Sequence, residues 1–154
     1  MPQLWLVPAD AESYLRTLAS PVDLSDAPDK PAAFPDEARV WGVRTDPAQG
    51  SWDRNRRNLE RMEPGDPLLV YRNGEGQYVG RGEVGPFWHT EYVRDTFWNG
   101  GPALDVFAVE DYREIDVPTS TVNRLLDYKE GFVPQGLWRV ADDRPVTKLL
   151  QRLE

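Results

Sequence analysis

The sequence predicts an α+β domain: a small mixed or mostly antiparallel sheet, curled toward a partial barrel, with helices packed at its ends. Three observations predict it. β-rich and helical runs follow one another as β-α-β-α-β-β-(α)-β-α-(β)-α, neither strictly alternating nor grouped as in a sandwich. PLLVYRN (67–73) and QYVGRGEVG (77–85) flank the turn GEG and read as a hairpin. The chain has 154 residues, 40% of them hydrophobic, with no internal repeat, which suits one domain spanning 1–154.

Each element has a local reason. LWLV (4–7) is short, apolar and ends at Pro8, as a strand does. AESYLRTLA (11–19) places Tyr14, Leu15 and Leu18 at helical spacing behind Asp10, a candidate N-cap. Residues 20–37 carry four prolines and many aspartates and read as a surface insertion, either a functional flap or a tolerated loop. ARVWGVRT (38–45) alternates as a strand, DPAQGS turns, and DRNRRNLERM (53–62) resumes a helix with Leu59 and Met62 three apart. Pro64-Gly65-Asp66 stops that helix. Gly80 and Gly82 inside the hairpin's second strand mark a bulge or a close approach to the backbone. PFWHTEYVRDTFWNGGP (86–102) is aromatic-rich, a short helix or a loop that does not look buried. ALDVFAVEDYREIDVP (103–118) holds a strand with Leu104, Val106 and Ala108 on one face. TVNRLLDY and PVTKLLQRLE read as helices, and FVPQGLWRVADD as irregular or a last strand.

Composition excludes several chemistries. Without cysteine there is no disulfide, thiol nucleophile or thiolate metal site, and one histidine, His89, cannot build a typical zinc site. No phosphate loop of the GxxxxGK type and no GxSxG elbow occur, and the glycines of GRGEVG lack the helix that a dinucleotide site needs. Acidic pairs such as Glu110-Asp111 and Asp142-Asp143 read as solvated faces. His89 reads as a surface or capping residue, with a general base or base-stacking group as the competing role. No catalytic residue, cofactor or metal is expected. No run is long enough to span a bilayer and no signal peptide is apparent, so a cytoplasmic protein with no membrane partner is expected.

The net charge of -8 argues against a polyanionic partner, but its distribution is uneven. Arg54, Arg56, Arg57 and Arg61 share one short window, with Arg44, Arg72 and Arg81 nearby. Acid collects in DLSDAPD and VEDYREID, and lysine is scarce. An acidic, lysine-poor surface suits a high-salt cytoplasm. Of the six tryptophans, Trp5 and Trp138 read as packers, whereas Trp88 and Trp98 sit in the polar 86–102 stretch. Exposed rings around a pocket would offer π-faces to a base, and arginines beside them would hold phosphates.

The run NRRNLERMEPGDPLLVYRNGEGQYVGRGEV, preceded by VWGVR, resembles the EVE domain of the PUA-like superfamily. LWLVPADAESYL is similar to that family's first strand and helix, FWNGGPALDVFAVEDYREIDVP to its later strand, and EGFVPQGLWRV to its closing segment. The likeness spans most of the chain, leaving 20–37 and 46–52 as insertions. It implies a PUA-like sheet related to YTH domains. It further implies a binding module that flips out a modified base and holds it in an aromatic cage. The base would be methylated or hydroxymethylated cytosine or N6-methyladenine, in DNA in preference to RNA. Such domains serve modification-dependent restriction systems, so a nuclease domain or subunit is an implied partner. Carried over by position, the resemblance implies Trp41 or Trp52 as the first cage wall and Trp88 and Trp98 as the later walls. Asn55 matches the helix asparagine, Thr45 and Asp53 are candidates for the base edge, and Arg44, Arg54 and Arg57 for phosphate. The alternatives are a PUA-like enzyme acting on RNA or a nucleotide, and a plain interaction domain whose aromatics are core.

Overall fold

The computed structural model describes residues 3–43, 52–98 and 105–153, with the side chain of Trp52 outside the described set. The elements follow the expected order with one addition. They are β1 (Trp5–Ala9), α1 (Ala11–Thr17), β2 (Val22–Asp23), β3 (Glu37–Val43), α2 (Trp52–Arg61) and β4 (Pro67–Arg72). Then come β5 (Gln77–His89), α3 (Glu91–Phe97), β6 (Asp105–Pro118), α4 (Thr119–Leu126), β7 (Trp138–Arg139) and α5 (Val146–Arg152). Among the described residues seven strands form one sheet, in the order β2-β3-β6-β5-β4-β1-β7. β1 runs parallel to β4, and every other neighbouring pair is antiparallel. The sheet is mixed, mostly antiparallel and curled, as the sequence suggested, and it does not close into a barrel.

β1 and β4 are buried at successive positions, so both faces of the sheet are covered there, since neighbouring side chains point to opposite faces. Trp5 and Val7 of β1 join Leu68 and Val70 of β4 and Phe107 of β6 in a core beneath α1 and α2, which supply Tyr14 and Leu59. Leu6 and Leu69 point the other way, into a core closed by Val122 and Leu126 of α4 and Leu149 of α5. A third core joins Val40 of β3 and Val106 and Ala108 of β6 to Val93 of α3.

That third core also holds Leu24 and Phe34, 0% and 1% exposed. Residues 20–37 are therefore not simply a surface insertion. Their β2 pairs with β3, and Leu24 and Phe34, with Val22 and Ala27 packed beside them, close a face that would otherwise be wet. The 86–102 stretch likewise differs from expectation. β5 continues through Pro86 to His89, with its register against β6 shifting between Val84 and Phe87. α3 follows behind its N-cap Thr90, whose side chain accepts from the Tyr92 amide.

The hairpin glycines meet their expected purpose. A Cβ on Gly80 would overlap the Tyr112 phenol, so the missing side chain lets that ring lie across β5. Gly65, at φ +96°, makes the turn after α2 that ordinary residues resist.

Candidate nucleic-acid interface

Trp41 and Trp98 meet. Their ring centroids are 6.2 Å apart and their planes are 88° from parallel, an edge-to-face pair. Trp41 leans from β3 against the core beneath α1, and Trp98 ends α3; both are half-buried. Two backbone ties hold the corner. Arg16 of α1 donates through Nη1 to the Phe97 carbonyl (3.1 Å), next to Trp98. Arg39, two residues before Trp41 on the same face of β3, donates through Nε to the Leu18 carbonyl (2.9 Å). α1 thus braces both the strand and the helix that carry the indoles. Two rings at a right angle form a corner: a planar ring laid flat on one indole turns its edge toward the other.

Trp88 is not an open wall. It is 4% exposed, packs against Phe34 at 5.3 Å and stacks near-parallel on Tyr92 at 6.4 Å. The reading of 86–102 as unburied failed there because the segment extends β5 and lies under residues 20–37, a contact distant in sequence. The indole Nε1 of Trp88 is buried without a hydrogen-bond partner among the described residues. Trp5 is fully buried, as expected of a packer, whereas Trp138 is half-buried on β7.

α2 places the basic window. Arg54 donates through Nη2 to the Gln135 carbonyl (2.6 Å), and Asn58 donates through Nδ2 to the Leu137 carbonyl (2.9 Å). Both side chains fasten the helix to the segment before β7. Arg57 stands 67% exposed, 3.3 Å from the Asp53 carboxylate, and Arg56 lies 3.7 Å from the same group. Such exposed pairs hold their partners by no more than about 1 kcal/mol, so a phosphate can displace Asp53. Asn55 is half-buried on the same helix. Arg44 and Thr45 lie outside the described residues. His89 hydrogen-bonds Asp105 through Nδ1 at 2.8 Å and is largely exposed.

Sequence reasoning passed over two groups near this corner. Tyr14 and Tyr112 share a hydroxyl–hydroxyl bond of 2.6 Å, and the Arg39 guanidinium lies 4.7 Å over the Tyr112 ring. Burial, reinforced by the Tyr14 bond, pushes the Tyr112 phenol well above its ordinary range. The only advance signal was Gly80, which announced a close approach without naming its partner. Asp66 was read as a turn residue, yet it is 6% exposed and accepts from Trp5 Nε1 (3.1 Å), the Glu63 amide (2.9 Å) and Gln3 Nε2 (3.2 Å).

No protein-family model matches the chain, and no curated protein does. Solved structures do. The chain superposes on the N-terminal domain of McrB from Thermococcus gammatolerans, bound to m5C DNA, with a TM-score of 0.72 and 12% identity over 98% of this chain and 96% of that one. It is also similar to the YTH domain of MRB1 from Zygosaccharomyces rouxii, in complex with N6-methyladenosine RNA. There the TM-score is 0.64 and the identity 14%, over 99% of this chain and 86% of that one. Human THYN1, in complex with DNA containing 5-methylcytosine, matches with a TM-score of 0.52 and 13% identity, over 99% and 98% of the two chains. Identity this low speaks to fold alone. The fold so defined is PUA-like, of the kind the ordered motifs imply.

Proposed function

We propose that this protein reads a modified base in nucleic acid, taking the flipped base into the corner formed by Trp41 and Trp98. The observation that carries the reading is this pair of half-buried indoles, braced by α1 in a fold that other proteins use around methylated DNA or RNA. Flipping costs a few kcal/mol. One ring face stacked on the base returns about 1–3 kcal/mol, and the second indole, which meets the base edge to face, adds about 0.5–1.5 kcal/mol, together on the order of that cost. A methyl group on the base adds apolar area against the second ring and thereby favours the modified form.

In this reading Trp98 and Trp41 are the walls, Trp88 supports the corner from the core, and Trp52 is a further candidate wall. Thr45, Asp53 and Asn55 serve the base edge. Arg57 and Arg44 meet phosphates, while Arg54 acts chiefly by anchoring α2. We further propose DNA as the polymer and a binding role without chemistry of its own. The protein would act in the cytoplasm as the specificity module of a modification-dependent restriction system, its nuclease in another domain or subunit.

Tryptophan fluorescence tests the reading. Emission should change on titration with an oligonucleotide carrying 5-methylcytosine, 5-hydroxymethylcytosine or N6-methyladenine, and far less with the unmodified strand. Trp98→Ala should abolish that discrimination while the protein stays folded by circular dichroism. An equal response to all strands, or none, rejects the proposal.

A further inference from the structure

We propose a second ligand recess at the β7 edge of the sheet, formed by Tyr128, Phe132 and Trp138, that takes a nucleotide: a planar heteroaromatic carrying an anionic phosphate. Trp138 pairs with Leu6 across β1 and β7 and packs with Leu6 against the α4–α5 core. Trp41 packs on the other face, on β3, five strands inward from β7 in the sheet. The recess is therefore separate from the Trp41–Trp98 corner and does not depend on how that corner is read.

The hollow measures about 740 Å³, within the usual range for a small-molecule site. Its rings form a continuous set. Tyr128 stacks on Phe132 at 4.5 Å and 28°, and Phe132 meets Trp138 at 5.2 Å and 61°. The Arg144 guanidinium lies 4.4 Å over the Tyr128 ring. A planar ligand extends such an assembly by stacking on the Trp138 ring or on the guanidinium plane.

The walls are fixed before any ligand arrives. Trp138 Nε1 donates to the Tyr128 hydroxyl (3.2 Å). Arg144 Nη1 donates to the carbonyls of Leu126 (3.3 Å) and Asp127. Buried Asn123 donates through Nδ2 to the carbonyls of Glu130 and Phe132, both at 2.9 Å, pinning the loop that carries Lys129 and Phe132. Little ordering entropy remains to oppose binding.

Charge selects the ligand. Lys129 and Arg144 line the recess against one carboxylate, Asp127, so it is locally cationic in a chain of net charge -8. Bare ring faces would suit a quaternary ammonium, but Arg144 already covers Tyr128 and exposed Lys129 adds a like charge. A flat group with a phosphate satisfies both the rings and the rim.

Titrations followed by the tryptophan indole N–H resonances in NMR test this, with Trp138 assigned from Trp138→Phe. AMP should shift the Trp138 resonance with a Kd of roughly 0.1–1 mM. Adenosine and ribose 5-phosphate, each lacking half of the ligand, should bind at least about ten-fold more weakly. Lys129→Gln should weaken AMP about three- to five-fold with an unchanged melting temperature, as an exposed charge contact does. Trp98→Ala should leave AMP binding intact. An unmodified oligonucleotide that shifts Trp138 at lower concentration than AMP identifies the ligand as a nucleotide within a strand; the reverse identifies a free nucleotide. If neither moves Trp138 at about 5 mM, or if adenosine equals AMP and Lys129→Gln changes nothing, the recess is not a nucleotide site. That failure would leave the Trp41–Trp98 reading untouched.

Discussion

Asp66 shows how one side chain can hold several elements. Its carboxylate gathers the indole of Trp5 on β1, the Glu63 amide after α2 and the amide of Gln3. Replacing it with alanine leaves buried donors unpaired, so Asp66→Ala should lower stability by about 2–4 kcal/mol in urea denaturation, and Asp66→Asn by less. The GD dipeptide was visible in the sequence, but only as a turn: nothing local says that residue 66 faces a strand sixty residues earlier. The indoles divide in the same way. Trp5 was legible as core because it sits inside the apolar run LWLV. Trp88 was not, since Phe34, the ring that covers it, comes from a segment whose prolines and aspartates read as surface.

Among the elements, the β5–β6 strand pair is the most revealing. Its glycines predicted a close approach, and Tyr112 on β6 provides it by lying across Gly80 to reach Tyr14 on α1. Gly80→Ala must displace that ring and break the phenol pair, costing about 1–3 kcal/mol by thermal or chemical denaturation. The same strand pair carries a proton-linked pair of carboxyls. A hydrogen bond with Asp111, then burial and the Asp111 charge, pushes the Glu83 carboxyl above its usual range. Asp111 itself sits at φ +48°, where β6 departs from regular pairing. A carboxyl whose pKa is raised by folding favours the native state below its unfolded pKa, and that contribution is lost as pH rises through the folded value. Glu83→Gln, which keeps the hydrogen bond and drops the charge, should therefore raise the melting temperature at neutral pH. The gain should vanish below about pH 4, where the wild-type carboxyl is protonated in both states. A gain that persists at low pH would assign the effect to packing. The helices and the hairpin were legible because their signals are local. β2 was missed because two residues carry no period, and their strand character comes only from pairing with β3.

At the scale of the whole molecule, two electrostatic effects oppose each other. The chain carries 26 acidic against 18 basic residues, so the compact state repels itself. Of the cations proposed to meet phosphate, Arg57 stands on α2, where it and Arg56 share the single carboxylate of Asp53. Order of elements and motif sequence were enough to read a PUA-like sheet from the chain, because each motif is contiguous. Which indoles meet was not, because β3 and α3 come together only through β6, β5 and the brace from α1. The same separation lets stability and binding respond differently to salt. Raising KCl toward molar concentrations should raise the melting temperature by screening the surface carboxylates. Over the same series, affinity for a modified oligonucleotide should fall, but gently. Two or three phosphate contacts correspond to a slope of log K against log salt of roughly -2 to -3. Arg57→Gln should reduce that slope by about one and weaken modified and unmodified strands alike. A melting temperature indifferent to KCl would remove the case for adaptation to high salt. A slope near -6 would demand more phosphate contacts than the α2 face supplies, and would place the strand elsewhere on the molecule.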